Sequence, residues 1–239
     1  MIIIPARMAS NRFPQKVLAN INGVPMVIAT AQRVQALDDV AIATDSEEVL
    51  AIAKEYGFKA VLTGTQHQSG TDRINEAASL LGLKDDEIVV NVQADEPFIE
   101  PNVVGAVVER VKKMAQTKEN CMMVSCYKPI DLAFASDPNH VKVIMDSNEY
   151  AIYFSRSKIP YDREEHLGYF GHLGIYGFTR KSLREFCTLP PAMLENIEKL
   201  EQLRAIYHGG KIAMVKVESR SFGIDTKEDL QRALELFCK

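Results

Sequence analysis

Three short segments carry side chains able to act on a charged ligand: ARMASNRFPQK at residues 6–16, VQADEP at 92–97 and GIDTKEDL at 223–230. The first holds Arg7, Arg12 and Lys16. No acid precedes Asp38, although the whole chain carries a net charge of −4. Two forked guanidinium groups, a compact ammonium, the Ser10 hydroxyl and loop amides form a donor set suited to a polyphosphate. The plain alternative is an unpaired basic loop in solvent.

The second segment follows the apolar run EIVVNV and presents Gln93, Asp95 and Glu96. A divalent cation of the Mg²⁺ type takes one or two carboxylates together with substrate phosphates and water, so a second acid remote in sequence would complete such a site. Asp225 is that candidate. It competes with a capping role, yet Thr226 and Asp229 already form an [ST]-x-x-[DE] box, which leaves the Asp225 carboxylate available. Glu96 can equally be a solvated acid.

Further groups are more ambiguous. In HQSGTDR, Ser69 to Arg73 read either as a turn and helix cap or as a backbone able to approach a flat ligand, with Arg73 donating to carbonyl or phosphate oxygens. Arg156, at the end of YAIYFSR, suits a carboxylate through a bidentate pair or a surface ion pair. His172 and Tyr176 in GHLGIYGF fit a structural hydrogen bond and the core as readily as a site. Glu201 and Gln202 lie on LENIEKLEQLRAIY, whose Leu194, Ile197, Leu200 and Leu203 describe one helical stripe with a solvated acidic face opposite.

The elements that must position these groups alternate. MIII, PMVIATAQRVQAL, VAIAT, SEEVLAIAKEY, KAVLT, DRINEAASLL and EIVVNV read as βαβαβαβ. Strands that are apolar throughout are buried on both faces, and crossovers of helical length imply parallel pairing. The expected class is α/β, a single doubly wound, mostly parallel central sheet over residues 1–239. Ligands of such a sheet sit beyond the carboxyl ends of the strands, where ARMASNRFPQK emerges. Asn22-Gly23 is a turn signal, Asp45 with Glu48 resembles a capping box, and Gly57 can end the helix that follows. From about 121 to 179 the texture becomes strand-rich, as in a mixed-sheet extension.

Composition narrows the classes further. There is no G-x-G-x-x-G after the first strand and no G-x-x-x-x-G-K-[ST], so dinucleotide and P-loop readings lose support. The N-terminal order is not that of a signal peptide, and no run fits a membrane span. The four cysteines lack zinc spacing and read as inert thiols. An acidic chain lacks the overall basic field of a nucleic-acid binder. A soluble, cytoplasmic protein is expected.

Taken in order, IIPARMASNRFPQK, ATDSEEV, HQSGTDR, NVQADEP, YFSRSKIP, HLGIYGF, IEKLEQLR and GIDTKEDL resemble the motifs of the 3-deoxy-manno-octulosonate (Kdo) cytidylyltransferases, or CMP-Kdo synthetases, over nearly the whole chain. The resemblance implies a nucleotide-diphospho-sugar transferase-like domain, usually a homodimer joined through the later sheet extension. It implies an enzyme that transfers CMP from CTP to Kdo with Mg²⁺, releasing pyrophosphate, in lipopolysaccharide synthesis. Carried over by position, Ala6, Arg7, Ser10, Arg12 and Lys16 face the CTP phosphates and nearby groups. Ser69 and Arg73 help recognise cytosine, Asp95 and Asp225 hold magnesium, and Gln93, Arg156, His172, Tyr176, Glu201 and Gln202 form the sugar-acid site. Two departures stand out: Gln15 and Ala94 occupy positions where the family often has glycine. A positive φ at either would cost on the order of 1 kcal/mol or more. Sialic acid and an 8-amino relative of Kdo are the neighbouring substrate readings, and a nucleotide-binding regulator without turnover is the reading from another class.

Overall fold

The three consecutive isoleucines at the N-terminus are each fully buried, and they alternate between two packing layers, Ile2 and Ile4 on one side and Ile3 on the other. A strand buried on both faces has no polar side, which is why MIII shows no alternation; each such side chain contributes about 1.5–3 kcal/mol. The computed structural model describes residues 1–10, 12–117, 119–164 and 168–238.

In chain order, β1 (Ile2–Ala6) leads into the basic loop and then a hairpin of β2 (Asn20–Ile21) and β3 (Val24–Pro25). Asn22 and Gly23 both have positive φ at its turn, as Asn-Gly predicts. Then come α1 (Met26–Val34), β4 (Val40–Thr44), α2 (Glu47–Glu55), β5 (Lys59–Leu62), α3 (Gly70–Leu80), β6 (Ile88–Asn91) and α4 (Pro101–Thr117). The strand-rich part supplies β7 (Met123–Ile130), α5 (Leu132–Ser136), β8 (Lys142–Met145), β9 (Ala151–Ser155) and β10 (Tyr169–Thr179). The chain ends with α6 (Arg180–Thr188), α7 (Met193–Glu198), α8 (Leu203–Tyr207), β11 (Ile212–Lys216) and α9 (Lys227–Phe237).

The strand order is β11-β7-β10-β6-β1-β4-β5, with β8 on β10 and β9 on β8. The β6-β1-β4-β5 block is parallel, as is β11 on β7. The exception is β10, which runs antiparallel between β6 and β7, and β8 and β9 continue that antiparallel extension. The doubly wound, mostly parallel reading therefore holds, with a mixed sheet where the sequence turns strand-rich. Helices α1 and α4 cover the face bearing Ile2 and Ile4; α3 and α6 cover the face bearing Ile3.

Two local readings are corrected. The α2 cap is Ser46, whose hydroxyl accepts from Val49 N, so the Asp45 carboxylate is released for other work. The stripe through Leu194, Ile197, Leu200 and Leu203 is not one helix. Lys199 adopts φ 54°, breaking the phase between α7 and α8 and leaving Ile197 70% exposed. Gly57, at φ 80°, ends α2 as expected. Thr226 caps α9 in a reciprocal box with Asp229.

Candidate active site

Beyond the carboxyl ends of β1, β5 and β6 lies a cavity of about 340 Å³. Arg7, Ser10, Arg12 and Lys16 from the basic loop line it, with Ser69, Gly70 and Arg73 from the start of α3, Gln93 and Asp95 from the turn after β6, and Asp225 from the approach to α9. Four segments spread over the whole chain thus meet at one sheet edge. Gly70 permits this closeness, because a Cβ there would lie 3.0 Å from the Pro5 ring and 3.3 Å from the Gln93 amide oxygen. Ser69 caps α3, whose N-terminus adds positive potential to that of the loop cations.

At the centre of the cavity Lys16 joins the two predicted acids. Its Nζ donates to Asp95 Oδ2 at 2.5 Å and to Asp225 Oδ1 at 3.0 Å, and Arg12 reaches Asp225 Oδ2 at 2.9 Å. Burial alone would lower the Lys16 pKa, but the two carboxylates outweigh it and hold the ammonium above its ordinary value. Burial likewise pushes Asp225 up, and Lys16 and Arg12 more than reverse that, leaving it below the usual carboxylate range. The acids converge on one cation, as a shared ion site requires.

Arg73 is almost fully buried and is held from inside. It donates to Thr63 Oγ1 at 2.6 Å, Gly64 O at 3.2 Å and Asp45 Oδ2 at 2.8 Å. Asp45 also accepts from Met8 N at 3.0 Å, so one carboxylate ties the start of the basic loop to α3. Its bridging role escaped sequence reasoning because ATDSEE reads as a cap; its place at the end of β4 was the available signal. His67 and Gln68 also line the cavity without having been singled out.

The remaining predicted residues stand outside the cavity lining. Ala6 is fully buried at the end of β1. Glu201 accepts from Thr71 Oγ1 at 2.6 Å, one residue inside the α3 terminus. Tyr176 Oη donates to Gln202 Oε1 at 3.0 Å, the Gln202 amide lies 3.4 Å from His172 Nδ1, and His172 Nε2 lies 2.8 Å from Ser125 Oγ. Glu201 and Gln202 therefore turn inward in the break between α7 and α8, not onto a solvated face. Burial pushes His172 down to about 3, so it is neutral at pH 7. Arg156 is not brought to the cavity: its Nε donates to Glu198 O at 2.8 Å and its Nη1 to Pro138 O at 3.0 Å. Arg33, the fourth early cation, is spent on the carbonyls of Phe98 and Ile99.

Three sealed polar atoms among the described residues have no hydrogen-bond partner: Asn91 Nδ2, Glu96 Oε2 and Glu201 Oε2. Asn91 pairs across the sheet with Tyr176, so two of the three lie beside the Tyr176–Gln202 network. Of the glycine replacements, Gln15 does adopt φ 55° and carries the expected strain, whereas Ala94 has no positive φ.

Glu96 is a sealed acid and not a solvated one. Burial pushes its carboxyl up to about 8, with the neighbouring Asp95 charge adding to the effect. A raised folded-state pKa means that the native protein holds a proton the unfolded chain releases. The associated stability is complete below about pH 4.5 and is lost as pH rises towards about 8. In Glu96→Gln the fall in stability across that window is expected to flatten, by up to about 1.4 kcal/mol per pH unit. Urea unfolding of both proteins across the window checks this, and parallel slopes would remove the buried-proton account.

Comparison with known proteins agrees with this fold. A family profile described as cytidylyltransferase matches residues 1–212. The chain is 60% identical over 232 residues, 97% of each protein, to a 3-deoxy-manno-octulosonate cytidylyltransferase of a Nitratiruptor species. It is 50% identical, over 99% of each, to the protein of the same name from Wolinella succinogenes. The solved structure of a CMP:2-keto-3-deoxy-manno-octonic acid synthetase complexed with CTP superposes with a TM-score of 0.90 at 36% identity, covering 99% of this chain and 97% of that one. A cytidylyltransferase from Leptospira borgpetersenii, 16% identical with a TM-score of 0.63, shares the fold. The chain belongs to the cytidylyltransferase family.

Proposed function

We propose that this protein transfers CMP from CTP to the anomeric hydroxyl of Kdo, giving CMP-Kdo and pyrophosphate for lipopolysaccharide synthesis, with Mg²⁺ held by Asp95 and Asp225. The carrying observation is the convergence of those two acids, from opposite ends of the chain, on the single ammonium of Lys16. Hard carboxylate oxygens already gathered around a cation are a donor set that suits Mg²⁺. When bound there, Mg²⁺ neutralises phosphate charge and lowers the pKa of a neighbouring hydroxyl.

The chemistry is an in-line displacement. The sugar hydroxyl oxygen forms a bond to the α-phosphorus, the bond from that phosphorus to the bridging oxygen of the β-phosphate breaks, and pyrophosphate leaves with the electron pair. No covalent intermediate on the protein is required. Arg7 and Arg12, on the open side of the cavity, receive the triphosphate, and Lys16 exchanges its carboxylates for phosphate oxygens, where its charge stabilises the departing group. Ser69 and Arg73 set the wall against which cytosine rests. Gln93 and the Tyr176–Gln202–His172 network, with Glu201, present hydrogen-bonding groups to the sugar hydroxyls. Arg156 would reach the sugar carboxylate only by leaving the Glu198 and Pro138 carbonyls that hold it at the edge of the mixed sheet. His172, neutral at pH 7, serves as a hydrogen-bonding group and not as a proton donor.

The same reading makes the protein a cytoplasmic homodimer joined through the extension around β8 to β10, where Ile152 and Phe170 are exposed apolar side chains. Among the described residues no helix is long and apolar enough to cross a membrane. The direct test is pyrophosphate release from CTP and Mg²⁺ with Kdo, 8-amino-Kdo and sialic acid in parallel. Kdo is expected to support the highest kcat/KM. CTP binding with no release for any sugar acid would instead make the chain a nucleotide-binding regulator.

A further inference from the structure

Between β11 and α9, residues 217–225 belong to no helix or strand, yet they deliver Asp225 to the cavity. Backbone groups in such a strap need partners from elsewhere, and two charged side chains outside the cavity supply them. Lys128, on β7, donates from one ammonium to Ser219 O at 3.0 Å and Ser221 O at 3.4 Å. Glu100, just before α4, accepts from Ser219 Oγ at 2.7 Å and from Arg220 N at 2.8 Å. The Ser219 hydroxyl also accepts from Ser221 N at 3.1 Å, and Ser221 is nearly fully buried.

The far end of the strap is fixed separately. Ile224 N donates to Asp95 O at 2.9 Å, and Asp229 accepts from Asp225 N and Thr226 N. Gly223 lies against Glu96, where a Cβ would come within 3.4 Å of the carboxylate. Asp225 is thus only four residues from the near end of a charge-assisted clamp at Ser221, and its distance from Asp95 depends on where that clamp holds the chain.

We propose that Lys128 and Glu100 are positioning residues that seat this strap, place Asp225 opposite Asp95, and thereby set the affinity of the metal site. This rests on Asp225 being a metal ligand. Partners that orient a ligating group typically change metal affinity about 10- to 100-fold when removed. They do so without touching nucleotide or sugar.

The experiment titrates Mn²⁺ into the full chain with CTP and no sugar acid, followed calorimetrically, and measures CTP binding in chelator alongside. Lys128→Met, which keeps the apolar stem, is expected to weaken Mn²⁺ about tenfold while leaving metal-free CTP binding unchanged. Lys128→Arg restores most of the loss. Ser219→Ala, a smaller change that keeps the question answerable if Lys128→Met does not fold, shifts Mn²⁺ affinity in the same direction. Asp225→Asn serves as the reference and weakens Mn²⁺ further than either. Parent-like Mn²⁺ affinity in Lys128→Met and Ser219→Ala beside a weakened Asp225→Asn would overturn the seating role alone. Unchanged Mn²⁺ affinity in Asp225→Asn would overturn the metal assignment beneath it. An equal loss of metal-free CTP binding, or no recovery with arginine, would reduce Lys128 to general structural support.

Discussion

Asp95→Asn and Asp225→Asn are each expected to lower kcat by about 10³-fold or more while leaving a folded protein. Asparagine keeps the shape of the side chain and can still accept from Lys16, but it lacks the charge that a divalent ion needs from a two-acid site. Losing several kcal/mol of charge stabilisation on the transferring phosphate corresponds to that factor, since each 1.4 kcal/mol or so is tenfold in rate. The structural cost is small for Asp225, whose side chain is 48% exposed and whose pairs are screened by solvent, at about 1 kcal/mol or less. Asp95 is 27% exposed and its bond to Lys16 is the shorter, so its variant loses somewhat more. Steady-state turnover with CTP, Mg²⁺ and Kdo, set beside thermal unfolding of the same samples, separates the two effects. A near-normal kcat in either variant would remove that aspartate from the metal site.

That these two acids meet was legible because each stands at a boundary that the sequence marks. Asp95 follows an apolar strand, and Asp225 immediately precedes a reciprocal Thr226–Asp229 cap, which frees it from capping duty. The parallel block was equally open to reading, since strands buried on both faces cannot hide their composition: Ile2, Ile3, Ile4, Val89 and Val90 are all fully buried. The order of the sheet was not. Nothing local to HLGIYGF distinguishes a strand inserted antiparallel between β6 and β7 from one added at an edge, because that choice depends on partners tens of residues away.

The side chains that departed from expectation did so for a comparable reason. Lys199 has an ordinary helical identity, and its left-handed backbone accompanies the inward turn of Glu201 and Gln202, which hydrophobic periodicity cannot sense. Asp45 reads as a cap until Ser46 takes that role and Arg73 approaches from α3. Glu96 looks solvated in QADEP and is sealed by a strap from the other end of the chain. In each case a long-range contact overrides a local preference of about 1 kcal/mol.

Lys16 shows most directly how the fold and the chemistry are linked, and Lys16→Met is expected to have opposite effects on two measurements. Without nucleotide, the Lys16 ammonium satisfies both aspartates, at 2.5 and 3.0 Å, so a free divalent ion must compete with a cation already in place. A triphosphate removes that competition by offering Lys16 oxygens of its own, so metal and nucleotide are expected to enter jointly. Methionine fills the space of the stem without the charge, leaving two facing carboxylates with only the exposed Arg12 beside Asp225. Mg²⁺ or Mn²⁺ titrated without CTP should therefore bind the variant about tenfold or more tightly than the parent, because one positive charge within hydrogen-bond distance of both ligands has gone. Turnover should nevertheless fall by about 10²-fold or more, because the same ammonium is needed against the charge of the departing pyrophosphate. Calorimetric metal titration in the absence of nucleotide and kcat under saturating substrates measure the two arms. Metal affinity equal to or weaker than the parent's would mean that Lys16 does not hold the place of the ion, and that the two acids are a structural ion pair with it.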